Sequence, residues 1–352
     1  MATSLEVRGL TVELPTPAGW VRPVNDVSFT LREGETLGIV GESGSGKTML
    51  SLALMGLEPH GARHSGEAWL NSRGGVGSGD GNGNGGNGSS ASGAQTGAQS
   101  SGRAARENLL EISQNEMREL RGREIAMIFQ EPMTALNPVL RIGAQIEEAI
   151  RVHEPRASDS EIHRRALEAL ERAALSDPAR RARQYPHQLS GGLRQRVMIA
   201  MALAAGPGVL IADEPTTALD VTVQKQILEL LAKLRRELRL SMLFITHDLG
   251  VVAQVAGRVA VMYAGRIVEE GPVEEVLRAP RHPYTEGLLR AAPRLTREKL
   301  VPIPGAVPSL DALPPGCAFA PRCPHRVAEC DAAMPELRAV NKNHAARCIL
   351  VR

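Results

Sequence analysis

Leu37-Gly-Ile-Val-Gly-Glu-Ser-Gly-Ser-Gly-Lys-Thr48 decides the fold. Its first four residues are a short apolar strand, and Met49-Leu-Ser-Leu-Ala-Leu-Met55 reads as a buried helix. Between them the glycine loop follows the full eight-residue phosphate-binding pattern, in the strand-to-helix context that this motif requires. Gly41, Gly44 and Gly46 let the backbone curl so that N–H groups face phosphate oxygens, and the helix N-terminus adds a favourable dipole. Glu42, Ser43 and Ser45 complete the loop, Lys47 supplies a point charge for the β- and γ-phosphates, and the Thr48 hydroxyl is placed for magnesium.

Downstream, Val209-Leu-Ile-Ala-Asp213-Glu214 is an apolar strand ending in two carboxylates. A strand-end aspartate can cap the next turn. After a phosphate loop, magnesium coordination is the better expectation for Asp213, and Glu214 can polarise an attacking water.

Around these motifs, residues 5–40 alternate apolar and polar (Leu5, Val7, Leu10, Val12, Leu14, then Val27, Phe29, Leu31), which predicts antiparallel strands with one solvated face. From 139 to 205 the period is helical. Strands return at 209–212 and 243–246 with a helix over 221–237, so a parallel sheet with helices on its faces is expected. Residues 72–106, rich in Gly, Ser and Asn, cannot bury enough surface to order and are read as a flexible, inert insertion between Trp69-Leu-Asn71 and Leu109-Leu110.

The net charge of +2 argues against a nucleic-acid binder, and the arginines of 151–183 read as a solvated helix face. No secretory signal opens the chain. The longest apolar run, 197–212, is broken by Gly206-Pro-Gly208 and falls short of the roughly 20 residues of a membrane span. The expectation is a soluble chain that reaches a membrane only through a partner.

Between the two nucleotide motifs lies Leu189-Ser-Gly-Gly-Leu-Arg-Gln-Arg196. With it, the chain resembles the ATP-binding subunit of an ABC transporter. The resemblance implies an ABC nucleotide-binding domain over 1–265, with a parallel core sheet, an antiparallel β subdomain and a helical subdomain at about 139–205. It implies an ATPase and a dimer in which Leu189, Ser190, Gly191, Gly192 and Gln195 meet the ATP of the other subunit. By the same resemblance Gln130 is the Q-loop glutamine, touching magnesium and water, Asp220 belongs to the D-loop, and His247 holds the γ-phosphate. Trp20 is the candidate for stacking on adenine, since Phe29 alternates into the core.

Narrower segments are similar to the dipeptide/oligopeptide importer ATPases: Glu131-Pro-Met-Thr-Ala-Leu-Asn-Pro138, His282-Pro-Tyr-Thr285, Ile303-Pro-Gly-Ala-Val-Pro308 and Pro321-Arg-Cys-Pro324. Met201 with Ile303-Pro-Gly305 looks like the first ("D") type. That resemblance implies peptide import at the cytoplasmic face of the inner membrane. It also implies a second, non-identical ATPase, two permease subunits and an extracytoplasmic substrate-binding protein. Nickel or glutathione import, or an ABC-type regulatory scaffold, are the alternatives.

All four cysteines, Cys317, Cys323, Cys330 and Cys348, fall in the extension 266–352 with spacing C-x5-C-x6-C-x17-C. Without a signal peptide, disulfides are not expected. Four thiolates among prolines suit a 4Fe-4S cluster, with tetrahedral zinc as the alternative. The plain reading is four small buried hydrophobes.

Overall fold

A computed structural model describes residues 2–17, 19–71, 106–291 and 302–351. The alternating start forms β1 (Thr3–Thr16) and β2 (Gly19–Arg32), which pair antiparallel. The apolar positions change frame between Val7 and Leu10, and again between Val24 and Val27. The register slips at both places, with Gly9 and Asp26 at positive φ, so Leu10 and Val27 still face the core. β3 (Thr36–Val40) leads into α1 (Lys47–Leu54), and β4 (Arg63–Asn71) pairs with β5 (Arg106–Asn108) through Trp69 and Asn108. The first sheet therefore has the order β2-β1-β4-β5. The expected pairing across the insertion is present. Residues 72–105 lie outside the described residues, and Arg106 already belongs to β5.

After α2 (Gln114–Leu120) and β6 (Ile125–Ile128) comes the helical layer: α3 (Pro132–Ala135), α4 (Ile142–Arg151), α5 (Asp159–Arg172), α6 (Pro178–Ala182) and α7 (Gly191–Leu203). Its apolar stripes recur every four residues (Ile142, Ile146, Ile150 on α4; Ile162, Ala166, Leu170 on α5) and pack into one core. The chain then alternates through β7 (Val209–Asp213), α8 (Val221–Leu238), β8 (Ser241–Thr246), α9 (Leu249–Val255) and β9 (Arg258–Tyr263).

β9, β3, β8, β7 and β6 lie side by side and parallel, in that order. β3, β7 and β8 are buried along their whole length, as continuous apolar runs covered on both faces should be: one face packs on α7, α8 and α9, the other on α1 and the first sheet.

The chain from 266 onward does not leave this sheet. β10 (Arg266–Pro272) pairs antiparallel with β9; after α10 (Val273–Arg278) and α11 (Pro283–Ala291), β11 (Arg338–Ala339) and β12 (Ala345–Ala346) extend the same edge. Glu269 on β10 anchors the return. It is fully buried, accepts the Arg281 and His282 N–H groups at 2.6 and 2.9 Å, and meets His344 Nε2 at 2.7 Å. Burial alone holds the neighbouring His282 imidazole neutral, its pKa lowered to about 3. His344→Ala would remove, among the described residues, the only side-chain hydrogen-bond partner of a buried carboxylate that keeps two backbone donors. A loss of about 2–3 kcal/mol in urea unfolding is expected; a loss below about 0.5 kcal/mol would show that the contact does not anchor the tail.

Candidate functional site

The phosphate loop follows the carboxyl end of β3, Asp213 and Glu214 follow β7, His247 follows β8, and Gln130 lies just beyond β6. Because β3, β8, β7 and β6 are consecutive neighbours, residues far apart in sequence share one edge of the sheet.

Gly46 sits at φ 101°, where a Cβ would lie 1.9 Å from the Pro23 carbonyl oxygen, so only glycine fits. Lys47 is buried, and its ammonium donates to the Gly41 and Glu42 carbonyls at 2.7 and 2.9 Å and to Ser45 Oγ at 3.2 Å. Burial lowers its pKa, against the opposing pull of Glu214, Asp213 and Glu42. Ser43, Gly44 and Thr48 are open to solvent.

Asp213 is 1% exposed. Its Oδ2 accepts from Ser51 Oγ at 3.3 Å, the Thr48 hydroxyl lies near enough to hold its pKa down, and Oδ1 is buried with no hydrogen-bond partner among the described residues. Burial pushes this carboxyl above its ordinary range. An orphaned buried carboxylate oxygen near a threonine hydroxyl is a donor set that fits a hard divalent cation.

Glu214 is held in the left-handed region at φ 45°. Its Oε2 accepts from Thr217 Oγ1 at 2.7 Å, faces His247 Nδ1 at 3.3 Å and receives Gln130 Nε2 at 3.4 Å. A strained backbone with three converging side chains holds one carboxylate at the mouth of the loop. The sequence reading missed Thr217 and Ser51. Thr217 lay in plain view three residues after Glu214. Ser51 was hidden as a helix residue in an apolar run.

The LSGG segment opens α7. Ser190 and Gly191 are exposed, whereas Leu189 and Gln195 are 3% and 2% exposed and turn into the helical layer. Leu189 packs inward from the turn before the helix and Gln195 from the inner face of α7, so within this chain only part of the expected signature set is open. A Cβ on Gly192 would lie 2.7 Å from Val223, so this glycine permits close packing of α7 on α8. Asp220 is the N-cap of α8, accepting the Val223 N–H at 2.9 Å. Trp20 is 45% exposed at the start of β2, with the Arg63 guanidinium 4.0 Å from its ring.

Glu42 is tied to the C-terminal extension. It reaches residues of the chain beyond 280: its N–H donates to the Tyr284 hydroxyl and its carboxylate pairs with Arg322.

The four cysteines gather in one region, where the Cys317 N–H donates to the Cys330 carbonyl at 2.8 Å. Burial, and to a lesser degree the neighbouring thiols, push the Cys317, Cys323 and Cys348 thiols up. Among the described residues no three His, Cys, Asp or Glu side chains are set to hold a metal ion. The arrangement thus gives no support to the expected iron–sulfur or zinc site: the side chains share a neighbourhood without converging on one point.

The chain matches two family models: ABC transporter over residues 24–79 and 85–217, and "Oligopeptide/dipeptide transporter, C-terminal region" over 268–330. It is 50% identical to a putative peptide import ATP-binding protein of Brucella melitensis, over 98% of this chain and 96% of that one. A putative peptide import ATP-binding protein of Brucella abortus is 47% identical, over 99% of this chain and 95% of the other. Among solved structures, the dimeric, post-hydrolysis ATP-binding cassette MJ0796 bound to ADP and Pi shares 27% identity with a TM-score of 0.59, covering 76% of this chain and 98% of that one.

Proposed function

The chain belongs to the ABC transporter family, among the peptide import ATP-binding proteins, and from this we propose that its ATP hydrolysis powers uptake of di- and oligopeptides through a separate membrane permease. One observation carries the reading: Lys47, Asp213, Glu214, Gln130 and His247 converge at one sheet edge, in a chain that also carries the peptide-transporter C-terminal region.

In this reading the loop 41–48 binds the phosphates and Trp20 offers its open face to adenine. Asp213 and Thr48, with Gln130, hold magnesium, which when bound neutralises charge on the β- and γ-phosphates. Glu214 orients and deprotonates the attacking water. Thr217 fixes the rotamer of Glu214, and His247 stands where charge builds on the γ-phosphate. Exposed Ser190 and Gly191, with Gly192, act on ATP held by a second, non-identical ATPase subunit. Asp220 shapes that interface by capping α8. Residues 1–265 form the ATPase unit, and 266–352 form the importer-type extension.

Among the described residues no helix is long and apolar enough to cross a membrane. Two permease subunits provide the path, and an extracytoplasmic binding protein delivers the peptide. ATP and unpaired thiols match the cytoplasmic face of the inner membrane. Proteoliposomes holding the permease, both ATPases and the binding protein should accumulate labelled peptide only when ATP is supplied on the ATPase side. ATP turnover with no peptide accumulated would overturn the cargo.

An iron–sulfur cluster or zinc on Cys317, Cys323, Cys330 and Cys348 rests on the donor set, four thiols within electrostatic reach of one another. Binding would have to draw these side chains together. Metal and acid-labile sulfide analysis of anaerobically purified protein separates the cases. Iron with sulfide means a cluster, zinc alone a structural clip, and neither leaves four unpaired thiols.

A further inference from the structure

We propose that Arg322 and Tyr284, on the C-terminal extension, are positioning residues that clamp Glu42 and so hold the phosphate loop ready for ATP. The proposal rests on the reading of 41–48 as the ATP site.

The contacts are specific. Arg322 Nη1 and Nη2 donate to the two Glu42 carboxylate oxygens at 2.7 and 3.1 Å, a bidentate pair across 280 residues of sequence. The Arg322 side chain is 5% exposed. Its Nε donates to the Pro304 carbonyl at 2.9 Å, and Nη1 reaches the Tyr263 hydroxyl at 3.4 Å. The Glu42 N–H donates to the Tyr284 hydroxyl at 2.8 Å, so both ends of this loop residue are tied to the extension.

Tyr284 is itself fixed. Its ring is fully buried and packs against Tyr263 and Phe319, with centroids 4.5 and 5.4 Å away. A tyrosine placed for packing alone needs no hydroxyl at a loop N–H.

Two consequences reach the phosphates. The Gly41 and Glu42 carbonyls are the acceptors that aim the Lys47 ammonium, so fixing residue 42 fixes the lysine. The Glu42 carboxylate also lies within electrostatic reach of Lys47. Without Arg322 that negative charge would stand uncompensated beside the site that receives ATP.

The test is a fluorescent-ATP titration of the full-length chain with magnesium, alongside ATP turnover by the complex. Arg322→Gln should weaken ATP binding about tenfold or more, with turnover at saturating ATP within about twofold. Adding Glu42→Gln should restore binding to within about threefold of wild type, because it removes the charge left behind. A packing role for Arg322 would show no such rescue.

Tyr284→Phe keeps the ring and removes the hydroxyl. It should weaken binding about three- to tenfold, and it carries the test by itself if Arg322→Gln does not fold. Folded variants that bind ATP as wild type does, or a double variant as weak as Arg322→Gln, would overturn the clamp. A wild-type chain that binds no ATP would instead overturn the reading of the loop.

Discussion

Glu214→Gln is expected to lower ATP turnover of the assembled complex about 10³-fold while leaving ATP affinity within about threefold of wild type. The substitution keeps the size of the side chain and can still receive the Thr217 hydroxyl. It removes the charge that lets Oε2 take a proton from water. Gln130, Thr217 and His247 all meet that single oxygen, so the site is built around this carboxylate. ATP should therefore be trapped, visible as nucleotide that survives gel filtration with the assembled ATPase pair. Turnover within about tenfold of wild type would move the base to another group, with His247 the first to examine.

The second large effect is expected at Asp213, and it has two signs. Asp213→Asn should abolish magnesium-dependent turnover, by about 10³-fold, because an amide neither carries charge to a divalent cation nor competes with water for it. The same variant in chelator should melt at a higher temperature than wild type. Asp213 is a buried carboxyl pushed above its ordinary range, chiefly by desolvation and further by Glu214, with one oxygen lacking any partner. A carboxyl raised in the fold costs stability at neutral pH whether it ionises there or keeps its proton, and an amide does neither. A melting temperature lowered by Asp213→Asn would show that the carboxylate serves the fold and not the cation.

Much of this was legible from local pattern. The strand, loop and helix around Gly41–Thr48 needed only apolar runs and glycine spacing, whereas the register slips at Gly9 and Asp26 came to light in the strand pairing. Helical and strand periods located the segments around 142–203 and 209–246 closely, since each buries one stripe or a whole strand. Leu189 and Gln195 show the limit. A motif read as a block conceals that the turn before α7 and the inner face of α7 bury these two members almost completely. The cysteines show another limit, because spacing along a proline-rich chain does not fix whether four side chains meet at a point.

The phosphate loop, the paired carboxylates of 213 and 214 and the sheet that carries them are written in local pattern, because they follow from glycine conformation and the period of apolar residues. Which residues stand together is set by the packed fold. The order β3-β8-β7-β6 carries His247, Glu214 and Gln130 to one end of the strands, and the docking of the segments that hold Tyr284 and Arg322 carries both to Glu42. Strand order and docking arise from the burial of surfaces far apart in sequence, and no local period records that.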